Sequence, residues 1–157
     1  MKMSTNQANM MNGKTLIRSA NEMINQGARA VASGKALETS TLNILEELNI
    51  NYEEQVRFTD TYYNENSKMD FYLPELEVAI ECKFQKVSGT ADQKFPKVVN
   101  DLRLFRDGNI HGKGLIVLAG SHYETRVGIQ QYLNDQKSEY LDWCFLHELK
   151  GWLKEYE

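Results

Sequence analysis

Asp70, Glu81 and Lys83 are the residues whose types and spacing carry the most chemistry in this chain. Glu81 and Lys83 lie two apart in a stretch, 77–85, that alternates. Val78, Ile80, Cys82 and Phe84 fall on one side; Glu77, Ala79, Glu81, Lys83 and Gln85 fall on the other. In an extended strand the second set leaves on a single face. A carboxylate and an ammonium there must be paired, solvated or functional, because isolated buried charge is costly. Asp70 precedes Glu81 by eleven residues, with Pro74, Glu75 and Leu76 between them as a turn. Folded back through that turn, adjacent strands run about 4.8 Å apart, which brings both carboxylates within reach of one cation. Two carboxylates that close repel each other unless a proton or a metal sits between them. Oxygen ligands with no Cys or His partner predict Mg²⁺, with Mn²⁺ as a substitute, over zinc.

A third acid comes from a helix expected over 35–48, where Leu37, Thr41, Ile44, Leu45 and Leu48 form a 3.6-residue stripe. Glu38 precedes Leu42 by four residues and Leu45 by seven, so it sits over that stripe and needs a partner. The metal pocket offers one. Asn49, Ile50 and Asn51 end the helix. Strands are expected over 52–58, 69–73 and 77–85, with a polar turn region over 60–67 between the first two. A Gly/Ser/Thr loop follows at 86–93. Pro96 opens a helix that runs to 106, and Gly108 stops it. A buried strand over 114–119, a helix over 123–134, a short strand over 143–146 and a closing helix over 147–157 complete the order. Residues 1–13 read as a tail and 14–32 as a helix interrupted by glycine. The chain therefore divides into 1–33 and a single domain over 34–157. The fold class is α/β, a mixed sheet flanked by helices, with the last strand–helix–strand unit pairing in parallel through a right-handed crossover.

The 157 residues suit one domain, and no apolar run reaches the length of a membrane-spanning helix. The first dozen residues, rich in Asn and Met, lack the apolar stretch of a secretory signal. Cys82 and Cys144 form no CxxC pair, so neither a disulfide framework nor a thiolate zinc site is supported, and a reducing, cytoplasmic setting is the default expectation. A net charge of −4 argues against a polycation that coats nucleic acid. The distribution says more: residues 82–113 carry +4 and the remainder −8, a local polyanion site on an otherwise acidic protein or simply a solvated basic surface. Gly112 and Gly114 belong to no phosphate-binding motif, so no nucleotide cofactor is expected. His111, His122 and His147 have no ligand spacing, Trp143 and Trp152 read as core, and Tyr62 and Tyr63 lie in a polar turn beside the proposed site.

Asp70, followed by Glu81-Cys82-Lys83 and preceded by a helical Glu38, resembles the PD-(D/E)XK nuclease superfamily. That restriction-endonuclease-like family has a core of a helix, three antiparallel strands, a helix and a further strand, αβββαβ, which the expected order matches from about Gly34 to Ala119. The residue before Asp70 is Met69 where the family motif has Pro. The resemblance implies metal binding at Asp70 and Glu81, a water-positioning or water-activating Lys83, and an assisting Glu38. Gln85 matches a Gln found after the ExK triplet in several branches, and 87–96 resembles a loop seen there in some relatives. The chemistry implied is metal-dependent hydrolysis of DNA phosphodiester bonds, with a specific duplex sequence, a branched junction and nonspecific DNA as competing substrates; the small size, with no recognition domain, favours a homodimer. Lys86, Lys94 and Lys97 are the candidates for gripping the DNA backbone. Two other classes compete: a catalytically silent nucleic-acid- or partner-binding module on the same fold, and a structural salt-bridge cluster of Asp70, Glu81 and Lys83.

Overall fold

The computed structural model describes residues 33–60, 65–85, 95–108 and 112–156. The tail and helix expected over 1–32, the loop at 86–93, Lys86, Lys94, Tyr62, Tyr63 and His111 lie outside them.

Helix α1, Gly34–Glu47, starts where the Ser33 side chain accepts a hydrogen bond from the Ala36 N–H at 3.1 Å. That satisfies one of the donors every helix start leaves open. Its end is a Schellman motif. Asn49 takes φ 56°, a conformation Asn tolerates, and donates to Glu46 O, while the Ile50 N–H donates to Leu45 O at 2.9 Å. Ile50 and Leu45 are both buried in one cluster, which is the apolar contact that accompanies such ends.

Strands β1 (Glu53–Asp60), β2 (Glu65–Leu73) and β3 (Val78–Phe84) form an antiparallel meander. Helix α2 (Phe95–Gly108) leads to β4 (Lys113–Ala119), parallel to β3. Helices α3 (Ser121–Thr125) and α4 (Val127–Gln136) lead to β5 (Leu141–Phe145), parallel to β4, and α5 (Leu146–Tyr156) closes the chain. The sheet order is β1-β2-β3-β4-β5. Helices cover both faces. Leu37 and Leu45 of α1 and Leu149 and Leu153 of α5 pack with Val78, Ile80, Leu115 and Val117 on one side. Phe95, Val98, Leu102 and Phe105 of α2, with Tyr123, Ile129 and Leu133, pack with Ala79, Ile116 and Leu118 on the other. This three-layer burial explains why β4 reads as a continuous apolar run rather than an alternating one. No helix among the described residues is long and apolar enough to cross a membrane.

Three elements differ from the sequence expectation. The β1–β2 ladder continues through Asp60↔Glu65, so part of the polar segment expected as turn is strand. Ladder bonds are made by backbone, and polarity there marks neither a turn nor an end. Strand β5 begins at Leu141, two residues before Trp143. The helix expected over 123–134 is two helices, broken at Arg126 (φ −95°, ψ 89°). The Thr125 hydroxyl donates back to Ser121 O and His122 O, and the Gln130 amide caps Tyr123 O and Glu124 O. Side chains thus satisfy the carbonyls that a continuous helix would have used.

Gly120, which follows β4, has φ +108°, and a Cβ placed there would overlap the Gln85 carbonyl oxygen. Only glycine fits both the conformation and the approach. Gly120→Ala should therefore lower stability by about 2 kcal/mol or more in urea denaturation, and a midpoint equal to wild type would contradict this packing.

Candidate active site

The β2–β3 ladder pairs Leu73 with Val78, Tyr72 with Ala79 and Phe71 with Ile80, and then stops. The next residues along each strand are Asp70 and Glu81. Here the side chains replace the backbone. The Asp70 N–H donates to Glu81 Oε1 at 3.3 Å, and the Cys82 N–H donates to Asp70 Oδ2 at 2.8 Å. Where the strands part, each N–H that would lose its ladder partner finds a carboxylate of the other strand. The result fixes two acids side by side at the point where the sheet opens.

The opening is visible in the packing as well. Phe71 and Met69 are two apart, yet Phe71 packs with Leu37 and Ile80, whereas Met69 packs with Phe58 and Phe105 across the sheet. Val56 of β1 likewise packs with the second cluster, and Tyr52, just before β1, with the first. Gln55, immediately before Val56, has φ 51°. Alternation reverses in both strands at the same level, between the pairs Glu54↔Phe71 and Val56↔Met69.

Lys83 Nζ lies 3.4 Å from Glu81 Oε2. Its side chain is 34% exposed against 14% for Glu81, so the amine is reachable from solvent while the carboxylate is mostly shielded. Burial, and then the Asp70 charge, push the Glu81 carboxyl up to about 8 against the pull of Lys83. Glu38, half-buried on α1, is also raised above the usual carboxylate range, by burial first and then by Asp70. Glu38 Oε1 accepts from Gln55 Nε2 at 3.3 Å, and the same nitrogen donates to Asp70 Oδ1 at 3.4 Å. Glu38 therefore stands one amide away from Asp70. Among the described residues no three carboxylate, imidazole or thiol groups converge closely enough to enclose an ion. The pair Asp70 and Glu81 fits a hard cation by its chemistry: two oxygen donors side by side, one of them kept from ionising by burial and then by the charge of the other. Mg²⁺ is commonly held by one or two carboxylates and completes its shell with water and phosphate oxygens.

The remaining residues are placed as follows. Gln85, half-buried, follows β3, and its N–H donates to Ala119 O at 3.1 Å. Lys97 lies in the first turns of α2 and pairs with Asp101 at 2.8 Å. Lys86 and Lys94 are outside the described residues. Cys82 packs against α1, on the face of β3 opposite Glu81 and Lys83. Its sulfur lies 3.5 Å from the Thr41 hydroxyl, and burial holds its thiol well above the ordinary range, so it is core rather than reactive. Trp143 and Trp152 are part of the packing, and their indoles donate to Asn134 and Asp142. Gln55 is the member that sequence reasoning misses. A polar residue in an edge strand has no spacing signal, and only the reversed alternation turns it toward the acids.

A family model described as a PD-(D/E)XK nuclease superfamily domain matches residues 18–148. The chain belongs to the PD-(D/E)XK nuclease superfamily. Its five-stranded mixed sheet flanked by helices is the restriction-endonuclease-like fold of that superfamily. No match was found to a curated protein or to a solved structure. Members of the PD-(D/E)XK superfamily are generally nucleases that use divalent metals, and a nucleic-acid substrate follows for this chain at that level.

The raised Glu81 carboxyl fixes the sign of a pH effect. Unfolded, Glu81 titrates near 4.3, so between about pH 4.3 and pH 8 the folded state binds more protons than the unfolded state. Stability contributed by neutral Glu81 is full below that window and is lost as pH rises through it. Without divalent metal, the melting temperature of the wild type should fall from pH 5 to pH 8 by on the order of 5 °C more than that of Glu81→Gln. Parallel pH profiles of the two proteins would contradict the burial of this carboxyl.

Proposed function

We propose that the protein is a Mg²⁺-dependent endodeoxyribonuclease that hydrolyses phosphodiester bonds in duplex or branched DNA. The observation that carries this reading is the carboxylate pair, Asp70 and Glu81, crossing the open β2–β3 ladder with the Lys83 ammonium 3.4 Å from Glu81. Asp70 and Glu81 would hold the cation. When bound, a divalent cation neutralises phosphate charge and makes a nearby water more acidic. Lys83, held on the same strand face, orients the attacking water or stabilises negative charge as it develops on the phosphate. Glu38, Gln55 and the Cys82 N–H keep Asp70 in place. Gln85, two residues beyond Lys83, lines the same end of β3. The phosphate backbone is gripped by Lys86, Lys94 and Lys97, with Lys97 exchanging Asp101 for a phosphate oxygen. Each site cuts one strand, so a homodimer supplies the two sites that a double-strand cut or a junction needs. The free, buried Cys82 and Cys144 support a reducing, cytoplasmic setting.

A second reading draws on the same ion pair. If Lys83 and Glu81 form a structural salt bridge only, Lys83→Ala leaves a buried charge unpaired and costs about 3–5 kcal/mol of stability, with no cleavage to lose. The nuclease reading predicts the reverse. Burial and the Asp70 charge favour the neutral form of Glu81 without metal, so Lys83→Ala should melt close to wild type. It should still bind DNA, and lose cleavage by on the order of 10²-fold or more. The test is incubation with supercoiled plasmid, a four-way junction and single strands, with Mg²⁺, Mn²⁺ or EDTA, alongside melting of the same preparations. A wild type that cuts none of these with either metal, together with a destabilised Lys83→Ala, would overturn the proposal.

A further inference from the structure

We infer that Gln55 is a positioning residue for Asp70, acting through its side-chain amide on how tightly the site holds a divalent cation. This rests on the nuclease reading. Three observations converge on it. Gln55 lies in β1 between the pairs Glu54↔Phe71 and Val56↔Met69, which sets it beside Asp70 in the neighbouring strand. Its backbone adopts φ 51°, a left-handed conformation that is unfavourable for a side chain without a short polar group to bond locally. And its Nε2, with two hydrogens, donates to Glu38 Oε1 at 3.3 Å and to Asp70 Oδ1 at 3.4 Å.

The consequence is geometric. The other Asp70 oxygen, Oδ2, accepts from the Cys82 N–H at 2.8 Å. With Gln55 on Oδ1, both oxygens of the carboxylate are oriented by donors from the two flanking strands. The same amide places hydrogen-bond donors between two acids that otherwise face each other with only repulsion. Remove it, and Asp70 keeps only the Cys82 N–H on Oδ2, with Oδ1 unheld, while Glu38 loses its hydrogen-bonded link to Asp70. Groups that orient a metal-binding carboxylate in this way commonly change metal affinity by 10–100-fold. The left-handed backbone is the local cost of turning a β1 side chain toward the acids, and backbone strain of this kind gathers at functional sites.

Two substitutions separate this role from a merely structural one. Gln55→Gly relieves the backbone and removes the amide; Gln55→Met keeps the length and bulk and removes only the hydrogen bonds. Three readouts are measured on the full chain: metal-free melting temperature, Mn²⁺ affinity by electron paramagnetic resonance of free Mn²⁺, and the kcat and KM of plasmid cleavage. Both variants should bind Mn²⁺ about tenfold more weakly than wild type and lose kcat with KM for DNA unchanged, and Gln55→Gly should melt at or above the wild-type temperature. Mn²⁺ affinity and kcat within twofold of wild type in both variants would overturn the inference. Asp70→Asn is the reference. If it abolishes Mn²⁺ binding while both Gln55 variants behave as wild type, the Gln55 inference alone falls. If the wild type binds no Mn²⁺ and cuts no DNA, the nuclease reading falls and takes this inference with it.

Discussion

The structure turns on one exchange: at the level of Asp70 and Glu81, strands β2 and β3 stop pairing backbone to backbone and pair carboxylate to backbone instead. A sheet that opens must satisfy the N–H groups it exposes, and an acid from each strand does so for the other. The exchange sets two acids side by side in a partly buried place. It aims Lys83 at one of them and leaves Gln55 to hold the other. The chemistry proposed for the protein is the chemistry this crossing makes available, since opposed carboxylates are stable together only around a proton or a cation.

Such a site costs stability, and the fold around it is built to bear that. Immediately next to the crossing, Ile80 and Ala79 are fully buried on opposite faces of β3, and β4 beside it is buried on both. Two apolar clusters, one under α1 and α5 and the other under α2, α3 and α4, clamp the central strands from both sides. The Lys150–Glu47 ion pair adds a link between α5 and the end of α1. Buried apolar area stabilises in proportion to its extent, whereas the acids interact only over a few ångströms, so a rigid centre can carry a strained, repelling edge.

Much of this is legible in the sequence because it follows from periodicity and spacing. The α1 stripe of Leu37, Thr41 and Leu45 is buried as the 3.6-residue period requires. The alternation in β3 correctly separates Ile80 and Cys82 from Glu81 and Lys83, and a turn at Pro74 returns the chain so that Asp70 lies beside Glu81. What fails is the assumption of unbroken alternation. Met69 and Phe71 pack on opposite faces, and Gln55 swings toward the acids, because both strands reverse together. No residue type in either strand announces that reversal; it is decided by the pairing between strands. The break at Arg126 is hidden for a related reason, since Gln130 and Thr125 cap a helix end with side chains that also suit a helix interior.

The central claim is that Asp70 and Glu81 hold a cation in place of a proton, and calorimetric titration with Mg²⁺ in two buffers of different ionisation enthalpy tests it most directly. With Glu81 pushed up to about 8, a cation entering at pH 7 must expel the proton that Glu81 carries. With Glu81 raised, net proton release on Mg²⁺ binding is predicted at pH 7, and much less in Glu81→Gln. Binding without proton release, or binding and release that are the same in wild type and Glu81→Gln, would contradict it.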